Sequence, residues 1–204
     1  MRLASEPKRF LTIEQYLELE ANSLWGERHE YEDGQIFPMG NPDAPIEATV
    51  NHAAITANLL RHVGNKLDAA QSPSRAYTQN LIVKAGPRCA YPDLVVVCGK
   101  PQTLDDKDQV VLNPLLVAEV LSPGTEDFDR GRKFVDYRSI DSLREYLLVA
   151  QSEILIEQWI GGAGKPWQLT AEHRDPLASI ALVSVPGIEI PLSDIYENVT
   201  WPSD

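Results

Sequence analysis

Two short apolar runs, each carrying one acidic residue, constrain this chain more than any other feature. Leu115-Leu116-Val117-Ala118-Glu119-Val120-Leu121 holds Glu119 between apolar neighbours, and Tyr91-Pro92-Asp93-Leu94-Val95-Val96-Val97-Cys98 carries Asp93 at its mouth. Near-continuous apolar runs of this length read as central strands covered on both faces. An ionised carboxylate inside such a strand is costly to bury unless a partner or a metal compensates it, and glutamate is among the residues least often fully buried. If the two runs form neighbouring strands, both carboxylates can point into one cleft. Each acid alone has a plain structural explanation. Asp93 can cap a turn after Pro92, and Glu119 can form an ion pair with Arg130 or Arg132. The two together, each on an apolar strand, point to a hard-cation site. Magnesium suits so sparse a ligand set, because it binds through one or two carboxylates and keeps several waters.

The remaining pattern supplies the frame. Thr12 followed by Gln15 fits a capping box and predicts a helix over 13–21. His29-Glu30-Tyr31, a turn at Asp33-Gly34, and 35–39 read as a hairpin. A loop is expected over 41–45. Ile55, Leu59, Val63 and Leu67 then make one apolar stripe on a helix over 46–69. A strand over 77–84 leads to a turn at Gly86-Pro87. Ser122-Pro123-Gly124-Thr125 breaks the second apolar run, and a helix over 128–138 follows. Further strands are expected over 145–149, 154–160, 167–171 and 180–185, with Gly161-Gly162 and Gly164 in a turn. The sum is an α/β (α+β) fold: a mixed central β-sheet flanked by helices, with a strand-rich C-terminal half. A length of 204 residues suits one domain over 1–204.

Several function classes drop out. No apolar run approaches the roughly 20 residues of a membrane span, and residues 1–10 show no apolar signal-peptide core. Two cysteines, Cys89 and Cys98, are too few for a disulfide framework. Cys98 is expected as a small core residue, and a reduced cytoplasmic setting follows. Histidines 29, 52, 62 and 173 lack zinc-type spacing. Gly161-Gly162-Ala163-Gly164 lies between strands rather than before a helix, so no phosphate loop is read there. Ser122 lacks a nucleophile-elbow context. His52 borders the apolar stripe, either as a satisfied boundary residue or facing the cleft. Trp159, Trp167 and Tyr146 read as core or sheet-surface aromatics.

The acidic runs, together with Ser122-Pro123-Gly124-Thr125-Glu126, Asp129-Arg130, Lys133, Tyr137 and Glu145-Tyr146-Leu147-Leu148-Val149, resemble the Uma-type family of candidate restriction endonucleases. That family falls in the PD-(D/E)xK, restriction-endonuclease-like superfamily. The resemblance covers nearly the whole chain, from the opening helix to Pro191-Leu192-Ser193-Asp194-Ile195-Tyr196. It implies metal-assisted hydrolysis of nucleic-acid phosphodiester bonds, with DNA as the expected substrate and a homodimer as the expected assembly. Asp93 and Glu119 would hold one or two Mg2+ ions, with Mn2+ as a possible substitute, and Glu30 would add a ligand.

The chain departs from the superfamily pattern at the lysine expected two residues after the glutamate, where Leu121 stands. The resemblance makes Lys133 the substitute, against the alternative of a surface pair with Asp129 four residues earlier. Lys84 is the lesser candidate. A net charge of −12 also cuts against nucleic-acid binding, which usually draws on a basic patch. A nuclease would need basic residues such as Arg61, Lys66, Arg75, Arg88 or Arg130 around the cleft. The alternative is a catalytically inactive protein of the same fold that acts as a binding or regulatory module.

Overall fold

The structure is a computed structural model that describes residues 10–23, 27–39, 49–78, 80–104 and 109–201. The loop expected over 41–45 and the helix start expected over 46–48 lie outside the described residues. The first half contains α1 (Ile13–Asn22), β1 (His29–Glu32), β2 (Gln35–Pro38), α2 (Val50–Ala69), β3 (Ser74–Thr78), β4 (Ile82–Ala85), β5 (Arg88–Ala90) and β6 (Leu94–Cys98). The second contains β7 (Val110–Val111), β8 (Leu116–Leu121), α3 (Glu126–Phe128), a π-helical turn (Asp129–Lys133), α4 (Phe134–Tyr137), β9 (Glu145–Ala150), β10 (Ile156–Gly162), β11 (Lys165–His173), β12 (Ser179–Ala181), β13 (Glu189–Pro191) and α5 (Leu192–Ile195).

Local chemistry starts the elements where the sequence suggests. The Thr12 hydroxyl accepts the Gln15 N–H, and the Gln15 side chain accepts the Thr12 N–H, so the capping box closes both ways. Asp33 and Gly34 both take positive φ, 46° and 87°, as a tight hairpin between β1 and β2 requires.

The apolar runs pair as neighbours. A six-stranded sheet runs β11-β10-β9-β8-β6-β3, with β6 antiparallel and β9 parallel to β8. Parallel pairing requires a crossover, and the helical segment from Glu126 to Tyr137 provides it. One sheet face, with Leu94, Val96, Leu116, Ala118 and Val120, packs on the α2 stripe of Ile55, Leu59, Val63 and Leu67. The other, with Val95, Val97, Val117 and Leu121, packs on Phe134 and Tyr137 and on Val83, Ala85 and Ala90. Those last three residues belong to a second, five-stranded sheet ordered β2-β1-β5-β4-β7. The mixed central sheet with helices stands, and the second sheet shares its covering with α4.

Three local readings are corrected. The strand expected over 77–84 is two strands, β3 in the six-stranded sheet and β4 in the other. A turn closed by Leu81 N–H on the Thr78 carbonyl separates them, in a stretch with no glycine or proline to signal it. Cys98 is exposed and Cys89 is the buried thiol, because Cys98 ends its strand just before Gly99 turns with φ 70°. Over 180–185 only Ile180 and Ala181, the end of β12, are strand, since Val185 N–H bonds back to the Leu182 carbonyl in a turn. Among the described residues no helix is long and apolar enough to cross a membrane.

Candidate active site

The β6–β8 register sets the two acids side by side. Leu94 pairs with Ala118, so one further antiparallel step brings Asp93 opposite Glu119. Residues opposite each other share a face, here the face turned toward α4. Asp93 Oδ2 accepts the Val120 N–H at 2.7 Å, which ties the aspartate to the strand that carries Glu119. Both acids are buried, at 6% and 3% exposure.

The crossover delivers the cation. Asp129, Lys133 and Tyr137 recur every fourth residue through the π turn and α4, and all three are buried. Single π turns inside helices are frequent at functional sites. Lys133 Nζ stands 3.0 Å from Glu119 Oε1, 3.2 Å from Glu30 Oε1 and 3.5 Å from Asp129 Oδ1. The Tyr137 hydroxyl donates to Glu119 Oε1 at 2.9 Å, and the Tyr146 hydroxyl to the Asp129 carbonyl at 3.1 Å.

Glu30 reaches the cluster from the second sheet. Its other oxygen lies 3.6 Å from Arg88 Nη1. Arg88 is 1% exposed, meets Glu32 and Asp136 at 2.7 Å each, and lies over the Phe128 ring. This clamp fastens the β1–β2 hairpin to the crossover and so fixes where Glu30 sits.

Acid is in surplus here. Burial, above all, raises the Glu119 carboxyl well above its ordinary range; Lys133 opposes the rise, while Asp129 and Asp93 add to it. Burial likewise raises Asp129 against Lys133 and the Thr125 hydroxyl. For Lys133, burial alone pulls downward, but Glu119, Glu30 and Asp129 outweigh it and keep the ammonium. His52 Nε2 lies 3.4 Å from Asp93 Oδ2. Its imidazole is raised because the bond to Asp93, with added charge effects, exceeds the opposing effect of burial.

Among the described residues no group of three or more His, Cys, Asp or Glu forms a ready-made metal cage. The donor set nevertheless fits a hard, water-keeping cation. Glu30, Glu119 and Asp129 are carboxylates gathered about one ammonium, with the Asp93 carboxylate beside Glu119, and magnesium asks for only one or two carboxylates.

The structure thus brings Asp93, Glu119, Lys133 and Glu30 together, although they come from four separate elements. Lys133 makes the pair with Asp129, but the pair is buried rather than on the surface. The arginines weighed as partners for Glu119 go elsewhere, Arg130 to Glu126 and Glu157 and Arg132 to Glu32. Lys84 bonds the Gly86 carbonyl in its own turn and does not join. Leu121 packs in the apolar cluster with Val117. Sequence reasoning gave Asp129 only a surface role and gave Tyr137 none. The signal available was the fourfold spacing 129-133-137 on one helix. Of the basic residues expected around the cleft, Arg61 pairs with Glu197 and Arg75 approaches Asp68.

The fold is that of a nuclease-like α+β protein. It matches the crystal structure of "a putative nuclease belonging to DUF820" from Anabaena variabilis ATCC 29413, with a TM-score of 0.69 at 15% identity, over 91% of this chain and 97% of that one. At that identity the likeness speaks for the fold alone. The chain itself belongs to the Uma2 family, described as "Putative restriction endonuclease", whose model matches residues 13–193. Two uncharacterized proteins of Synechocystis sp. (strain PCC 6803) are similar as well. The protein sll1609 is 32% identical over 162 residues, 79% of this chain and 87% of its own length. The protein slr1290 is 32% identical over 185 residues, 87% of this chain and 90% of its own.

Proposed function

We propose that this chain is a metal-dependent endonuclease acting on DNA, working as a homodimer in a reducing cytoplasm. One observation carries the reading. The Lys133 ammonium lies 3.0 Å from Glu119 although the strand position where the superfamily pattern has its lysine is Leu121. A lysine moved to another element and still delivered to the same carboxylate suggests retained chemistry rather than decay. Family membership supports the same class of activity.

In this reading Asp93 and Glu119 hold Mg2+, or Mn2+ in its place, with Glu30 as a further ligand. A bound divalent ion supplies Lewis acidity toward the scissile phosphate and lowers the pKa of the attacking water. The protein's own groups do the rest. Lys133 offers fixed positive charge where the phosphate gains negative charge in the transition state. Tyr137 orients the Glu119 carboxylate, and the Val120 N–H and His52 orient Asp93. The apolar floor of Leu121, Phe134 and Leu148 keeps bulk water from the buried side.

A second reading, a binding or regulatory module without catalysis, is favoured by the charge pattern. Net charge is −12, and Arg61, Arg75, Arg88 and Arg130 are each engaged by acids. Titration calorimetry of Mg2+ and Mn2+ into the wild type and Glu119→Ala, with plasmid nicking on the same samples, separates the two. Binding and nicking that both disappear in the variant support the nuclease. Binding without nicking in the wild type favours the module. In the same assay Lys133→Gln is expected to keep metal binding while nicking falls about 100-fold or more.

A further inference from the structure

We propose that Phe37 is a stacking platform for the nucleobase beside the scissile phosphate, so that the site favours a strand unpaired at that point. This rests on the nuclease reading above. β1 and β2 are antiparallel, and Glu30 stands directly opposite Phe37. Opposite residues point to the same face of a hairpin, with Cβ atoms about 5 Å apart. For Glu30 that face is the one turned to the crossover, where its carboxylate lies 3.2 Å from Lys133 Nζ. Tyr31 and Ile36 point the other way and pack with Tyr16. The Phe37 ring therefore lies within roughly 12 Å of the Lys133 ammonium, on the side of the hairpin that carries the site.

The ring is open to a ligand. Phe37 is 44% exposed, and β2 is the edge strand of its sheet. The other three phenylalanines each rest on a partner within the fold. Phe134 stacks on Tyr146, Phe128 lies under the Arg88 guanidinium, and Phe10 lies against Gly34. Among the described residues Phe37 makes no such ring or cation contact. Met39, two residues further along the same face, is exposed as well and lengthens the apolar strip. The hairpin beneath is held in place by the Glu32 bond to Arg88.

Charge decides what can use this surface. The chain carries −12, and Arg61, Arg75, Arg88 and Arg130 are engaged by acids. Phosphate neutralisation, the usual source of affinity, is therefore weak here, and the substrate has to be held by contacts that need no charge. Stacking of a base on an aromatic ring is such a contact. A base inside a duplex has both faces covered by its neighbours, so only an unpaired base can use the ring.

The test reads binding apart from cleavage, with Ca2+ in place of Mg2+. The probe is a short single-stranded oligodeoxythymidine carrying one 2-aminopurine, whose emission falls when the base stacks. The wild type should bind it with quenching. Phe37→Ala and Phe37→Leu should bind about tenfold more weakly and lose the quenching, and Phe37→Trp should keep both. The same strand annealed to its complement should bind the wild type and the variants alike. A wild type that does not bind the strand, a Phe37→Ala or Phe37→Leu variant that binds it as the wild type does, or an equal loss on the duplex overturns the platform. Plasmid nicking with Mg2+ judges the nuclease reading separately. Nicking by the wild type with no effect of Phe37 on binding overturns the platform alone, and Phe37-dependent binding without nicking overturns the nuclease alone.

Discussion

Lys133 sits 3.0 Å from Glu119 with Glu30 and Asp129 also facing it, so a buried ammonium is outnumbered by buried acids. Selection for stability alone would not gather them, since replacing buried charge by neutral groups is often stabilising. The Glu119 carboxyl is held well above 4.5, chiefly by burial. In the folded state it therefore binds its proton more tightly than it does in the unfolded chain. That contribution to stability is full below about pH 4.5 and is lost as pH rises through the folded pKa. Glu119→Gln is expected to be more stable than the wild type at pH 7 by about 1 kcal/mol, with the gap closing toward acid. Urea denaturation across the pH range checks this. A variant less stable than the wild type at neutral pH would mean that Glu119 is a structural ion-pair partner.

Elements record how local chemistry and packing divide the work. The stripe of Ile55, Leu59, Val63 and Leu67 was legible because a buried helix face repeats every three to four residues. The break between β3 and β4 was not, because each half has strand character and only the second sheet draws them apart. The β10–β11 hairpin allows a clean test of what its glycines do. Gly162 and Gly164 both take positive φ, 77° and 80°. A Cβ at Gly162 would fall 2.1 Å from the Leu143 carbonyl, whereas one at Gly164 meets nothing within 4 Å. Gly164→Ala should cost about 1 kcal/mol from backbone conformation alone. Gly162→Ala should cost at least about 3 kcal/mol, because the backbone of Leu143 must also move. Equal losses in chemical denaturation would show that the contact relaxes freely.

Across the whole molecule, β11 closes one side of the six-stranded sheet as a nine-residue edge with β10 as its neighbour in the sheet order. Leu169 lies at its middle and is 41% exposed. Long edges of this kind invite pairing. Antiparallel self-pairing about Leu169 would lay the Lys165 end of one copy beside the Glu172 end of the next, with opposite charges meeting. The proposed homodimer is therefore assigned to this edge. Light scattering should show a dimer for the wild type and a monomer for Leu169→Lys, which sets like charges across the twofold axis. A wild-type monomer at about 100 μM, well above the micromolar range expected of a functional dimer, would remove this interface.

By itself the sequence determined that the two apolar runs are central strands and that Asp93 and Glu119 need compensation. Both follow from near neighbours in the chain and from the cost of burying charge. Only the tertiary structure decided which cation meets Glu119 and that Asp129 joins it. Along the sequence Arg130, Arg132, Lys84 and Lys133 all stood as candidates, with Lys133 favoured by the family resemblance. The register of β6 on β8 and the turn of the crossover chose Lys133. The reason is that a one-residue slip in register reverses every side chain of a strand. Which residues share a face across the sheet is therefore a property of the assembled fold.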